Sequence, residues 1–369
     1  MILKRWIDNT LKIQSIAAPT FHEAGRSRFM SKVFLSLNLP DVTTDENQNV
    51  FARIPGESPK PLIVTAHLDS VFPIDTDLQT RRKRDRIFGP GIGDNAVALA
   101  ALIELAYDHT DSHPPNDIWL VANVGEEGLG NLLGMRKVIE RFNGNVLAYL
   151  VLEGMALGHV YHRGLPIHRY RLRVKTTGGH AWIHAGRTSA IHHCCLLGAS
   201  LSQIALPDDP RWSLNIGRIE GGTSINTIAP EAWMELDLRA ENGETLEALD
   251  KLVFDVVNQH SDDEVTIEIE QIGHRPAGEL PADHPLVLAA CQALREAGIR
   301  DCLLDSGSTD ASLPLSLGLP AICIGLTYGA GAHSLEEYIE IQPLKQGYRA
   351  LRNTMDAYSR SVEKLTYLR

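Results

Sequence analysis

The stretch Val121-Ala-Asn-Val-Gly-Glu-Glu-Gly-Leu-Gly130 decides how the rest of the chain reads. The apolar run from Asp117 to Val124 has the length and composition of a buried strand, and it stops at a glycine. Two adjacent carboxylates, Glu126 and Glu127, follow at once. Neighbouring acids at the mouth of a strand repel each other. A bound cation offsets that charge most simply, with one Glu as ligand and the other free to handle protons. An isolated Glu-Glu pair is also what a solvated acidic turn looks like, so the other strand ends must decide.

Working outward, Pro61–Ala66 is a second apolar strand that runs into His67-Leu-Asp69. In open α/β sheets, ligands bind in the crevice beyond the carboxyl ends of the strands. Alternate residues on extended backbone share a face, so Asp69 can hydrogen-bond one imidazole nitrogen and leave the other aimed at a metal. Phe88-Gly-Pro-Gly-Ile-Gly-Asp94-Asn95 is a glycine-rich turn that delivers Asp94 at the start of a helix over 96–107. A phosphate loop is excluded there, because the Walker Lys is absent and no G-x-G-x-x-G enters the helix. Val146 to Leu152 predicts a third strand, ending in Glu153, and Pro320 to Gly325 a fourth. After the fourth, the glycines of Tyr328-Gly-Ala-Gly-Ala-His333 let backbone carry His333 close to a site. The other histidines, His109 and His113 among them, lack such surroundings. Imidazole and carboxylate sets of this kind hold zinc, manganese or cobalt.

Between these motifs lies a segment of different texture. From Gly164 to 272 the pattern predicts strands over 166–177, 212–219, 228–239 and 265–272, with helices over 189–206 and 244–260. That β-α-β-β-α-β order over about 110 residues predicts a ferredoxin-like domain inserted into the first. The free sheet edge of such a domain invites pairing, and so a homodimer through 164–272. Helices are also expected on both sides of Pro19, over 285–297 and over 309–317.

Composition sets the limits. The 369 residues are 44% hydrophobic and 22% charged, and the formal net charge is −11. That charge argues against nucleic-acid or anionic-membrane partners, and the basic run Arg81–Arg86 reads as a solvated hairpin edge. No apolar run reaches the roughly 20 residues a bilayer span needs, and the first residues lack a signal-peptide pattern. Cys194, Cys195, Cys291, Cys302 and Cys323 have no metal-type spacing and predict reduced thiols in a cytoplasmic protein.

Taken in order, His67-Leu-Asp-Ser-Val-Phe, Gly93-Asp-Asn, Glu126-Glu127, Glu153 and Gly331-Ala-His333 resemble a large family of dinuclear metal hydrolases. That family includes glutamate carboxypeptidase, peptidase T, aminoacylase, acetylornithine deacetylase and succinyl-diaminopimelate desuccinylase. Gly179-His180, Gly221-Gly-Thr-Ser-Ile-Asn226 and Ser308-Thr-Asp-Ala are similar to the family's pattern too. The resemblance implies an α/β fold, with a zinc-exopeptidase-like mixed sheet flanked by helices. The catalytic domain would span 1–163 and 273–369, and the ferredoxin-like α+β insert 164–272 would be a lid and dimerisation domain.

The resemblance also implies roles. His67 and Glu153 bind one of two divalent ions, most simply zinc, Glu127 and His333 bind the other, and Asp94 bridges them. Asp69 orients His67, Glu126 is the general acid/base, and His180 helps hold the oxyanion. Asn226 and Arg239 contact the substrate carboxylate. The expected reaction is cleavage of an amide bond in a small peptide, or alternatively in an N-acyl amino acid. From another class, the chain reads as a non-catalytic binding protein on a hydrolase fold. The run Asn95-Ala-Val-Ala98 departs from the family's usual continuation, and Gly91-Ile-Gly-Asp-Asn-Ala96 and His67-Leu-Asp-Ser70 are also similar to a sister aminopeptidase family that generally lacks the insert. Both points bear on substrate class more than on chemistry.

Overall fold

A computed structural model of the chain describes residues 2–108 and 114–367, and His109 and His113 lie outside them. The chain divides into two compact units, one built from Met1–Gly164 with Gly278–Arg369 and the other from Leu165–Ala277.

The first unit is organised by a mixed sheet flanked by helices. Its central strands are Asn116–Asn123, Ser58–His67, Ala148–Glu153 and Ala321–Gly325, side by side in that order and all parallel. They are nearly continuous apolar runs because helices cover both faces of a parallel sheet. Val50–Ile54 and His159–Gly164 flank them in antiparallel pairing. The register sets His67 beside Asn123 and Gly325 beside Glu153, so the carboxyl ends of all four strands lie along one rim. The helix Val97–Asp108 is buried from Val97 to Ala106, and its alanines let it pack closely on the helix Ile2–Gln14 and on Ser58–His67. Trp6 anchors that contact, its indole N–H donating to the Val97 carbonyl at 2.9 Å. A helix past the last motif, Leu344–Tyr367, packs on Pro285–Glu296.

The second unit is a four-stranded antiparallel sheet in the order Trp212–Gly221, Glu231–Ala240, Ile167–Lys175, Thr266–Arg275. The helices Ala190–Leu201 and Gly243–Gln259 connect these strands in the ferredoxin-like sequence. Burial alternates strictly along Glu231–Ala240, apolar residues facing the helices. The opposite face carries the ion pairs Arg169–Asp237, Arg171–Glu235 and Arg173–Glu231.

Three expectations are corrected. The strand read over 228–239 is two, because Pro230 has no N–H to give a ladder: Thr227–Ile228 pairs with Gly179–His180, and Glu231–Ala240 joins the main sheet. The second unit ends at Ala277 and not at 272, since its last strand continues to Arg275. Cys291 and Cys302 form a disulfide, their Cα atoms 5.3 Å apart, while Cys194, Cys195 and Cys323 are free. Eleven residues apart in sequence, the two meet because the chain doubles back from the helix Pro285–Glu296 into the strand Leu303–Gly307. Among the described residues, no helix is long and apolar enough to cross a membrane.

Candidate metal centre

Two parallel strands of the first unit end in candidate ligands at the same rim, and turns and loops bring the others there. His67 is the last residue of Ser58–His67 and is 2% exposed. Its Nδ1 lies 3.1 Å from the Asp69 carbonyl oxygen and 3.4 Å from Oδ1 of the Asp69 carboxylate. That engagement leaves Nε2 pointing at Asp94 Oδ1, 3.0 Å away, and at Glu153 Oε2, 3.8 Å away. On the other side, His333 Nε2 lies 3.3 Å from Asp94 Oδ2 and 3.2 Å from Glu127 Oε1. Asp94 therefore offers one oxygen to each imidazole. The five side chains fall into two sets, His67 with Glu153 and His333 with Glu127, sharing Asp94 between them. Donor atoms of His67, Asp94 and Glu127 all lie within 4.8 Å of one another. Two imidazoles and three carboxylates in this arrangement fit a pair of divalent cations in charge and in donor type.

Asp69 does more than face His67. Its carboxylate accepts the main-chain N–H of Glu126 at 3.0 Å and of Glu127 at 2.9 Å, and the Thr20 hydroxyl at 2.9 Å. It fixes the Glu-Glu turn and the His67 strand end together. Close approach of backbone completes the rim: a Cβ on Gly154 would collide with the Gly93 carbonyl, so only glycine lets the Glu153 strand end meet the Asp94 turn.

Three contributors were not read from the sequence. Arg26 is fully buried beneath the centre, donating to the carbonyls of Ile16 at 3.0 Å and Leu68 at 2.8 Å. Burial lowers its pKa to about 10 against the pull of Asp69, Glu337 and Asp94, which leaves it a cation at neutral pH. Glu23 accepts the Gly125 N–H at 3.1 Å and so props the turn from below. Asp310, within the quoted Ser308-Thr-Asp-Ala, is buried and accepts from Asn123 Nδ2 at 2.6 Å; burial, then the Glu126 charge, push its carboxyl up to about 8. Only Asp310 lay inside a quoted motif.

Four of the five side chains hold their protons more tightly than usual at the point where a cation would bind. Burial pushes Glu127 and Glu153 each up to about 7. Hydrogen bonds to Asp94 and Glu127 push His333 up to about 10. Burial opposes charge on His67, but its bonds to Asp69, Asp94 and Glu153 outweigh that and raise it. All four shifts are upward, so metal binding near neutrality displaces protons, and apparent affinity rises with pH. With two such groups in each set, one to two protons leave per ion, so the expected change is about 10- to 100-fold per pH unit. Zinc titrations at pH 6, 7 and 8 check this, and an affinity flat over that range contradicts it.

A cavity of about 340 Å³ opens beside Asp94 and Glu153, walled by Met155, Tyr161, Ser308 and Thr309. A larger one of about 600 Å³, lined by His159, Arg300, Asp301 and Gln346 among others, contains none of the five ligand residues. In the second unit, His180 and Asn226 come together: the Ala181 N–H donates to the Asn226 carbonyl at 3.0 Å. His180 Nδ1 accepts the Trp182 N–H at 3.2 Å, which leaves Nε2 as the donor. Arg239 is not part of that cluster. It lies eight residues beyond Glu231, roughly 26 Å along the strand, and pairs with Asp237 at 2.6 Å.

The sequence profile of peptidase family M20/M25/M40 matches residues 63–357. A succinyl-diaminopimelate desuccinylase of Corynebacterium glutamicum is 25% identical over 351 residues, 91% of this chain and 92% of that protein. A probable carboxypeptidase of Arthroderma otae is 27% identical over 257 residues, 63% of this chain but 55% of its own length, so the chain spans about half of that relative. Among solved structures, a tripeptidase of Staphylococcus aureus superposes with a TM-score of 0.79 at 22% identity, covering 97% of this chain and 99% of that one. That likeness is one of fold.

Proposed function

This chain belongs to peptidase family M20/M25/M40, and from that premise we propose that it is a metal-dependent hydrolase of the amide bond in a small peptide or an N-acyl amino acid. The observation that carries the reading is Asp94, one carboxylate shared between two imidazole-carboxylate sets. His67, Asp94 and Glu153 would hold one divalent ion, and His333, Asp94 and Glu127 the other. Zinc suits this set, with manganese and cobalt as alternatives. When bound, such a pair of ions supplies Lewis acidity, bringing the pKa of water toward neutrality.

The remaining work falls to the chain's own side chains. Glu126 is buried at the same turn, its backbone held by Asp69, and its charge raises the pKa of Glu127 and Glu153. We assign it the proton: it takes one from the attacking water and passes it to the leaving amine. Asp69 keeps the His67 imidazole in orientation. His180 would donate through Nε2 to the developing oxyanion, and Asn226 would contact the substrate carboxylate. Arg239, at the far end of Glu231–Ala240, would reach the same carboxylate only if one of the two is supplied by a second copy of the chain. The cavity beside Asp94 is small, which supports a small substrate. Two exposed sheet edges, Trp212–Gly221 and Thr266–Arg275, support pairing of two copies through the second unit.

The deacylase variant of the reading draws support from the desuccinylase, the relative matched here over nearly its whole length. The experiment is a panel of dipeptides, tripeptides and N-acyl amino acids assayed with zinc, manganese or cobalt, on a sample whose mass is measured by light scattering. Turnover of one class with an added ion, by a particle of two chains, is the expected result. Silence across the panel by metal-loaded protein favours a binding protein, and full activity as a monomer removes the pairing.

A further inference from the structure

Glu337 follows His333 by four residues and is completely buried. Its carboxylate accepts three main-chain N–H groups from one turn: Gly91 at 3.0 Å on Oε2, with Gly93 at 2.6 Å and Asp94 at 2.8 Å on Oε1. Its own carbonyl accepts the Gly89 N–H at 2.9 Å, and its N–H donates to the Ser334 carbonyl at 3.2 Å. These bonds join two segments more than 240 positions apart, the turn that presents Asp94 and the loop that presents His333. Both are held in uncommon backbone conformations, Gly91 at φ +69° and His333 at φ +64°. A non-glycine residue stays in the left-handed region only where its surroundings over-determine it.

We propose that Glu337 is a positioning residue of the metal centre, fixing the Asp94 main chain so that its two oxygens face His67 and His333 at once. The inference rests on the metal reading above. The two oxygens of a carboxyl group, and no N–H of its own, are what three converging amides require. A glutamine turns an NH₂ toward at least one of them, and an aspartate ends about 1.5 Å short, one C–C bond in length. The Asp94 carboxylate then loses the fixed base from which it spans the two sets, while all five ligand side chains remain.

The test compares wild type with Glu337→Gln and Glu337→Asp. The readouts are zinc affinity, by competition with a chromophoric chelator, and the melting temperature of the metal-free proteins. We expect zinc binding weakened roughly 10- to 100-fold in both variants, the range seen when groups behind metal ligands are removed. A variant that melts lower but binds zinc within twofold of wild type makes Glu337 a structural staple and overturns the proposal. Wild-type protein that takes up no divalent ion overturns the metal reading itself, a separate result. Amide hydrogen exchange in the wild-type chain decides the case if neither variant folds. Slow exchange at Gly91, Gly93 and Asp94 supports the clasp, and exchange at the rate of an open loop overturns it.

Discussion

Replacing Glu126 by glutamine should leave the bound metal unchanged and lower kcat by roughly 10²- to 10⁴-fold, the range lost when a general acid/base is removed. Glutamine keeps the shape, and the turn survives because its main-chain N–H, not its side chain, donates to Asp69. The amide cannot take a proton from water or return one to an amine. The charge that helps raise Asp310 also disappears, so the Asp310 pKa should fall from about 8 toward the ordinary carboxylate range. Steady-state kinetics with metal analysis of the same sample decide the point. Activity within tenfold of wild type at full metal content would remove Glu126 from the chemistry.

Asp94→Ala should have the opposite signature, losing the metal and the activity together. Without the shared carboxylate, His67 is left with Glu153 and His333 with Glu127. Two protein ligands are fewer than the three that catalytic zinc sites keep. Metal content after dialysis should fall from about two equivalents to less than about one. Added metal should restore little turnover, because the geometry between the two ions is gone. Retention of both ions by the variant would show that Asp94 does not bridge.

How much of this was legible in the sequence depends on where each partner lies. His67 and Glu153 could be read because each ends an apolar run, and a run with no polar break is what a strand buried on both faces must be. Asp94 and His333 could be read because glycines around them announce tight backbone. Arg26 could not. It sits in the first turn of the helix Ala24–Ser36, where an arginine reads as solvated surface, and only the fold shows that its partners are two carbonyl oxygens beneath the rim. Glu337 was equally silent, since its partners are main-chain amides, which have no residue type to recognise. The short strand Thr227–Ile228, which pairs with Gly179–His180, was hidden at the start of one apparent strand, although Pro230 was visible there as the residue that breaks it. The disulfide depended on a chain reversal that spacing alone does not encode.

The first unit closes its sheet around the point of insertion. Gly164, where the chain leaves, and Gly278, where it returns, are directly paired across an antiparallel ladder. The gap left by cutting out everything between them is one that a tight two-residue reverse turn spans in ordinary hairpins. The inserted segment is in that sense a cassette. Its length and surface can vary, or be exchanged for another, while the strands that carry the ligands keep their order and spacing. A scaffold wired this way lets the inserted unit change while the sheet of the other stays as it is.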